Sequence, residues 1–307
     1  MIDNFNLPNN DKNVQLFYGI GTNIWQTWQK PNGCKFVQMF VMGGGGGAGA
    51  GATGIAGSSR SGGAGGGSSA FSRAFVSSSI IPDNLYILVG MGGSGGLPTA
   101  GTGGNGTAGG ISYVSYQPNT TASNLIVASS TAGAGAGNGG AAGVSSNATA
   151  GVAGTIFSQA NGILSYNCLV SLIAGQAGGS GGNINQSGTT VTLALINSGG
   201  AGGAGVSNTS RNGANVTGAG FVPTINGGNS TNLSEADSGF TSFNNQLINL
   251  PYSLFFTGGA GGYALNNGNG GDGGNGSYGS GGGGGGGGTT GGRGGNGGNG
   301  LVIITCW

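Results

Sequence analysis

The chain has 307 residues, of which 80 are glycine, 4% are charged and none is histidine, and its net charge is +1. That inventory excludes a Ser-His-Asp or Cys-His centre and histidine metal ligation. It offers no basic stripe for nucleic-acid phosphates either, since Lys12, Lys30, Lys35, Arg60, Arg73, Arg211 and Arg293 are scattered. Collagen is excluded as well, because it needs glycine at every third position and abundant proline, whereas this chain has seven prolines and long unbroken glycine tracts.

Residues 1–12 are polar, with neither a basic start nor an apolar core, so no secretory signal is read there. They are expected to form a tail before a single domain spanning residues 13–307. Six times after that, a short apolar run breaks into a glycine tract. The junctions are Val37–Met42 into Gly43–Gly47, Leu85–Val89 into Gly90–Gly93, Leu125–Val127 into Thr131–Gly140, Leu169–Ala174 into Gly175–Gly182, Val191–Ile196 into Gly199–Gly205, and Leu254–Phe256 into Gly258–Gly262. Each run has the length and the β-branched or aromatic content of a strand, as do Ile111–Tyr116 and Val191–Ile196 in particular. Roughly ten such runs and no helix are read. Pro31, Pro82, Pro118, Pro223 and Pro251 sit at their edges, where a missing donor is tolerated.

Glycine-rich segments normally behave as flexible linkers, and ordering them costs about 1–2 kcal/mol of backbone entropy per residue. Polyproline II accounts for an ordered form. It has about three residues per turn and no internal hydrogen bonds, so its polar groups point outward to neighbouring helices. The late tracts show the matching period: Asn269, Asp272, Asn275 and Tyr278, then Arg293, Asn296 and Asn299, recur every third position with glycines between. Gly270–Gly276 and Gly291–Gly298 are therefore expected to be polyproline II helices with those residues on a solvent-facing ridge. A cross-β stack and glycine loops without regular form are the alternatives. The fold class is all-β, a β layer or sandwich of short strands feeding a glycine-rich polyproline II bundle. The last run, Leu301–Trp307, is expected to pair with Phe36–Met42.

Cys34, Cys168 and Cys306 make an odd number without Cys-x-x-Cys spacing, so buried free thiols are expected rather than a disulfide framework or a zinc site. Glu235 and Asp237 are the only near pair of carboxylates on one extended segment; a solvated acidic loop is the preferred reading over a glycosidase pair. No cofactor is expected. Ile163–Ala174, the longest apolar stretch, is too short to cross a bilayer. Trp25 and Trp28 flank a turn and either anchor a subunit or fill the core. Residues 206–246 form the least repetitive segment and read as a polar insertion. It supplies the candidates for surface recognition, Arg211, Phe221, Asp237, Phe240 and Phe243, with Tyr263 and Tyr278 as additions if the bundle brings them near.

Val14–Phe17, Trp25, Trp28, Lys30-Pro31-Asn32-Gly33, Phe36–Met42 with Gly43–Gly47, and the closing Gly300–Ile304 resemble the glycine-rich domains of bacteriophage tail fibre and fibre-tip proteins. The likeness spans nearly the whole chain in layout and is specific at its two ends. It implies a virion protein made in the host cytoplasm, either a fibre or adhesin that binds the host surface without catalysis or a capsid-decoration or shaft protein. The partners implied are identical copies, with a trimer favoured, other virion proteins, and a host glycan or outer-membrane protein; neither nucleic acid nor membrane insertion is expected.

Overall fold

A computed structural model describes residues 14–130, 132–140, 142–143, 146–157, 169–220, 222–241 and 255–307. Cys168, Phe221, Phe243, Pro251 and Leu254 lie outside them. Eleven strands occur among the described residues. The first sheet has the order β1 (Val14–Tyr18), β11 (Leu301–Cys306), β3 (Phe36–Met42), β4 (Phe71–Ser77) and β8 (Leu169–Ile173), antiparallel throughout. The second, also antiparallel, runs β2 (Trp25–Gln29), β5 (Asn84–Leu88), β6 (Tyr113–Ser115) and β7 (Leu125–Ala128). β9 (Val191–Thr192) and β10 (Val216–Thr217) form a short parallel pair apart from both. The expected pairing of the last run with the early one is present, with Val302 opposite Val41 and Ile304 opposite Met39.

Alternation along the strands sends one face of each sheet into a shared core. Val37, Met39 and Val41 of β3, Ala74 and Val76 of β4, and Val302 and Ile304 of β11 meet Trp28, Leu85, Ile87, Val114 and Ile126 from the second sheet. Each fully buried side chain of this size contributes roughly 1.5–3 kcal/mol. The expectation of free thiols is overturned at two positions, because Cys34 and Cys306 are joined as a disulfide with their Cα atoms 5.7 Å apart. The strand register explains it. β3 and β11 run antiparallel, so Cys306 lies opposite Val37, at the end of the sheet where the turn through Cys34 enters β3.

Beyond the sandwich the glycine tracts form a bundle with a hydrogen-bond pattern of period three. In the tract from Gly43 to Thr53, the amides of Gly45, Ala48 and Gly51 donate to Gly298, Gly295 and Gly292. Those of Gly46, Gly49 and Ala52 donate to Gly67, Ala64 and Ser61, and those of Gly44, Gly47 and Ala50 to Gly110, Thr107 and Gly104, all at 2.8–3.0 Å. The carbonyls of Gly45 and Ala48 accept from Gly93 and Gly96, those of Gly46, Gly49 and Ala52 from Gly282, Gly285 and Gly288, and those of Gly47 and Ala50 from Gly137 and Gly140. One tract thus donates to three antiparallel neighbours and accepts from three parallel ones. Strands, whose bonds point two ways, cannot do this; polyproline II with three residues per turn can. Left-handed φ among the described glycines is confined to turns and loop positions such as Gly57, Gly101 and Gly279. The missing side chain matters for approach instead: a Cβ on Gly45 would collide with the Ser280 carbonyl and one on Gly46 with that of Gly135.

Where strand gives way to tract, the pairing rule changes and some amides lose their backbone partner. Hydroxyls and one amide side chain fill the gap. Ser112 Oγ donates to the Met42 carbonyl at 2.7 Å and accepts from the Gly90 amide at 2.9 Å, Ser198 Oγ accepts from Gly258, and Ser68 Oγ from Gln176. Asn197 Nδ2 bonds the Ser69 and Gly279 carbonyls. Ser68, Ser112, Asn197 and Ser198 are all buried and each is bonded through its side chain, while Asn197 Oδ1 and Gln176 Oε1 are buried without a partner among the described residues.

Candidate binding site

The outward tracts end together at the tip remote from the sandwich, where short loops join them to inward tracts. Thr53 bridges to Ala100 and Gly288, and its Oγ1 accepts from the Gly291 amide at 2.9 Å. Asn185 accepts from the amides of Ser207 and Thr209 and donates to Ser207 Oγ and Asn208. Asn266 Oδ1 accepts from the Gly57 amide at 2.8 Å. Arg60 holds this end together. Its guanidinium is fully buried and donates to the carbonyls of Ser58, Ser207 and Asn266 and to Asn266 Oδ1, at 3.0–3.4 Å. Burial pulls its pKa below the ordinary arginine value, yet hydrogen bonds from all three guanidinium nitrogens to carbonyl oxygens favour the charged form.

On this fixed base the loops carry isolated large apolar groups in a setting of threonine, serine and asparagine. Ile55 is 80% exposed, Leu97 59% and Leu233 55%. Because the loops are anchored by the bundle, these side chains project from a rigid frame. The candidates chosen from sequence are not a single patch. Arg211 is exposed and sits at the tip, where its backbone pairs with Ala264. Tyr263 is buried, filling space left by Gly228 and Gly271. Phe240 packs on the small cluster of Ala201, Ala214 and Val216. Tyr278 lies at the sandwich end, with its ring 5.8 Å from that of Phe256 and 5.9 Å from that of Tyr18. Phe221 and Phe243 fall outside the described residues. Trp28 fills the sandwich core at 1% exposure, while Trp25 is half-buried on the edge strand β2.

Along the flank, Asn269, Asp272, Asn275, Arg293 and Asn296 are exposed, as the period-three ridge requires. Their oxygens close the outward amides of the next tract. Asp272 Oδ1 accepts from Arg293 at 2.7 Å, Asn275 Oδ1 from Asn296 at 2.8 Å, Asn296 Oδ1 from Gly95 at 2.8 Å and Asn299 Oδ1 from Gly92 at 2.9 Å. The two neighbouring carboxylates belong to this capping scheme and serve different tracts: Glu235 accepts from the Asp272 amide, Asp237 from the Asn226 amide and side chain. Burial raises the Glu235 pKa above the usual carboxylate value, with the Asp272 amide opposing and the Asp272 charge adding to the rise. Burial likewise raises Tyr263, helped by the charges of Glu235 and Asp272.

The tip residues Ile55, Leu97, Arg60, Asn185 and Asn266 escaped the sequence reading. One signal was available: Ile55 in Gly-Ile-Ala-Gly and Leu97 in Gly-Leu-Pro-Thr are single bulky residues where a tract breaks. No helix among the described residues is long and apolar enough to cross a membrane. A family model described as a glycine-rich domain matches residues 21–307. No curated protein matches the chain.

Proposed function

The chain belongs to the glycine-rich domain family, and from that premise we propose that it is a non-catalytic virion protein, a bacteriophage fibre or adhesin that presses its tip loops against a host cell surface. The observation that carries this reading is the convergence of the loops bearing Ile55, Leu97 and Leu233 at one end of the bundle, the first fixed by Arg60 and Asn266, the second by the bridge of Ala100 to Thr53, and the third by Asn212 Oδ1, which accepts from the Ser230 amide. Such a surface suits a glycan or an outer-membrane protein: it has few charges, offers hydroxyl and amide groups, and adds apolar anchors. Weak single contacts become firm attachment when several copies engage together, so a homo-oligomer, with a trimer favoured, belongs to the proposal. The test is adsorption of the parent particle after Ile55, Leu97 and Leu233 are replaced together by serine. Attachment is expected to fall by about tenfold or more, with melting temperature and light-scattering mass unchanged; unaltered adsorption overturns the adhesin reading.

A second reading, a capsid-decoration or shaft protein, draws on the opposite end. Phe36 and Phe75 stack at 5.4 Å and Phe75 meets Trp307 at 5.8 Å on the outer face of the first sheet, with Phe36 46% and Phe75 41% exposed. Exposed aromatics of this kind mark contact surfaces. Under this reading Phe36→Ser with Phe75→Ser blocks incorporation into particles, and the tip substitutions change nothing.

A further inference from the structure

The sequence contains eleven Asn-Gly pairs, one of them, Asn161-Gly162, outside the described residues. In an Asn-Gly pair the glycine amide nitrogen can attack the asparagine side chain with no Cβ in the way. In an unfolded chain all eleven would be open to this reaction. The fold treats them unequally. The amides of Gly106, Gly213, Gly270, Gly276, Gly297 and Gly300 donate to carbonyls of other segments at 2.8–3.0 Å. Those of Gly139 and Gly227 donate to the side-chain oxygens of Asn105 and Asn215. At several of these pairs the asparagine Oδ1 is also held, as at Asn105, Asn212, Asn275, Asn296 and Asn299.

Two pairs differ. Asn267-Gly268 lies in the tip loop between Ala264 and Asn269, with Asn267 exposed and no acceptor for the Gly268 amide among the described residues; only the Gly268 carbonyl is engaged, by Thr289. Asn32-Gly33 lies in the turn before β3, with both residues exposed, the Gly33 amide equally without an acceptor, and Gly33 at φ +81°. We propose that Asn267 and Asn32 are sites of spontaneous deamidation in the folded protein, and that the bundle protects the other eight described pairs by holding the attacking nitrogen in inter-tract hydrogen bonds.

The chemistry needs only water. The Gly268 nitrogen loses its proton to solvent and bonds to Cγ of Asn267, closing a succinimide ring, and the side-chain nitrogen leaves as ammonia. Water then adds to either ring carbonyl and breaks that carbon's bond to the ring nitrogen, giving aspartate or iso-aspartate. One water is consumed, one ammonia is released, and nothing is oxidised. Each conversion removes one unit of positive balance, so conversion of both sites takes the net charge from +1 to −1. At Asn267 the new carboxylate, and in the iso form an extra backbone carbon, appear beside Asn266, the residue that binds the Gly57 amide and the Arg60 guanidinium. The tip therefore changes charge and shape with age, while the flank ridge keeps its asparagines.

The full-length protein, disulfide intact, is incubated at mildly alkaline pH in water enriched in heavy oxygen, digested and read by peptide mass spectrometry beside the same chain in denaturant. Label is expected at Asn267 and Asn32 at least about tenfold faster than at Asn105, Asn212, Asn275 or Asn296, a ratio that an opening free energy near one or two hydrogen bonds produces. In denaturant the difference should vanish. Asn267→Gln should remove the tip signal and leave that at Asn32. Equal labelling of the bundle pairs in the folded protein overturns the proposal, and so does an unlabelled Asn267.

Discussion

The sandwich and the bundle meet the same demand, that every buried backbone polar group be bonded, with opposite uses of the side chain. In the sandwich, backbone pairing runs within each sheet and large residues such as Trp28, Met39 and Ile304 fill the space between sheets. In the bundle, backbone pairing runs in every lateral direction, and the space is filled by other backbones. Apolar burial is non-directional and tolerates a change of shape at moderate cost. A lattice of carbonyls in contact with Cα positions tolerates almost none. The comparison teaches that a protein with few large side chains can still be densely packed, provided its hydrogen bonds point several ways around each chain.

The sharpest break in this comparison is a valine in the bundle. Gly295→Val places a Cβ against the Gly274 carbonyl while the Gly295 amide is bonded to Gly283. The expected loss exceeds the about 5–15 kcal/mol of a typical domain, so no soluble folded protein should be recovered. Normal expression with an unchanged melting temperature would refute the packing argument. Trp28→Ala, a far larger change in volume, should cost only about 3–5 kcal/mol and leave a folded protein with an earlier denaturant midpoint. Cys306→Ser opens a bridge between residues 272 apart in sequence and should cost about 2–5 kcal/mol, with thiol reductant lowering the wild-type melting temperature and leaving the variant's unmoved.

At the seam between the regions, Ser112→Ala leaves the buried Gly90 amide without its acceptor and should cost about 1–3 kcal/mol, measured by the shift in denaturant midpoint. The smallest effect is electrostatic. The Glu235 pKa is raised in the folded state, so the folded protein binds more protons there than the unfolded chain, and stability falls as pH rises through the carboxylate range. Glu235→Gln keeps an oxygen for the Asp272 amide and removes the charge. Relative to the variant, wild type should gain stability as pH drops from neutral towards acid; the opposite slope in melting temperature would reverse the assigned cause.

The bundle was legible because a three-residue turn prints itself on the sequence wherever a tract meets solvent, as at Asn269, Asp272 and Asn275. The pairing of β11 with β3 was legible too, as two clear apolar runs at the ends of the chain. That pairing already brings Cys34 and Cys306 to one end of the sheet, so the disulfide was implied by geometry although the odd cysteine count argued against it. Val191–Ile196 reads as a full strand, but its regular ladder with β10 covers Val191–Thr192 and the last bond to β10 is that of the Leu193 amide to Thr217, because β10 ends where the chain turns through Ala219 and Gly220, both in the left-handed region. The tip was illegible because loops at 54–59, 97–102, 207–210 and 265–268 are far apart in sequence and are brought together by tract pairings that low-complexity sequence does not specify, after which Arg60, Asn185 and Asn266 tie all but the second of them. Proximity in sequence grouped Arg211 with Phe240, whereas the fold places one at the tip and the other on an inner cluster.

The rotation of bonding directions along each tract bears on how such a chain can change over generations. Inserting or deleting one residue in a tract turns everything beyond it by a third of a revolution, so each later amide would face a neighbour expecting another partner and each ridge residue would swing into the interior. Three residues added or removed restore every direction. Tract lengths should therefore differ among related chains in steps of three, matched in the tracts alongside, whereas the tip loops are free to vary by any number.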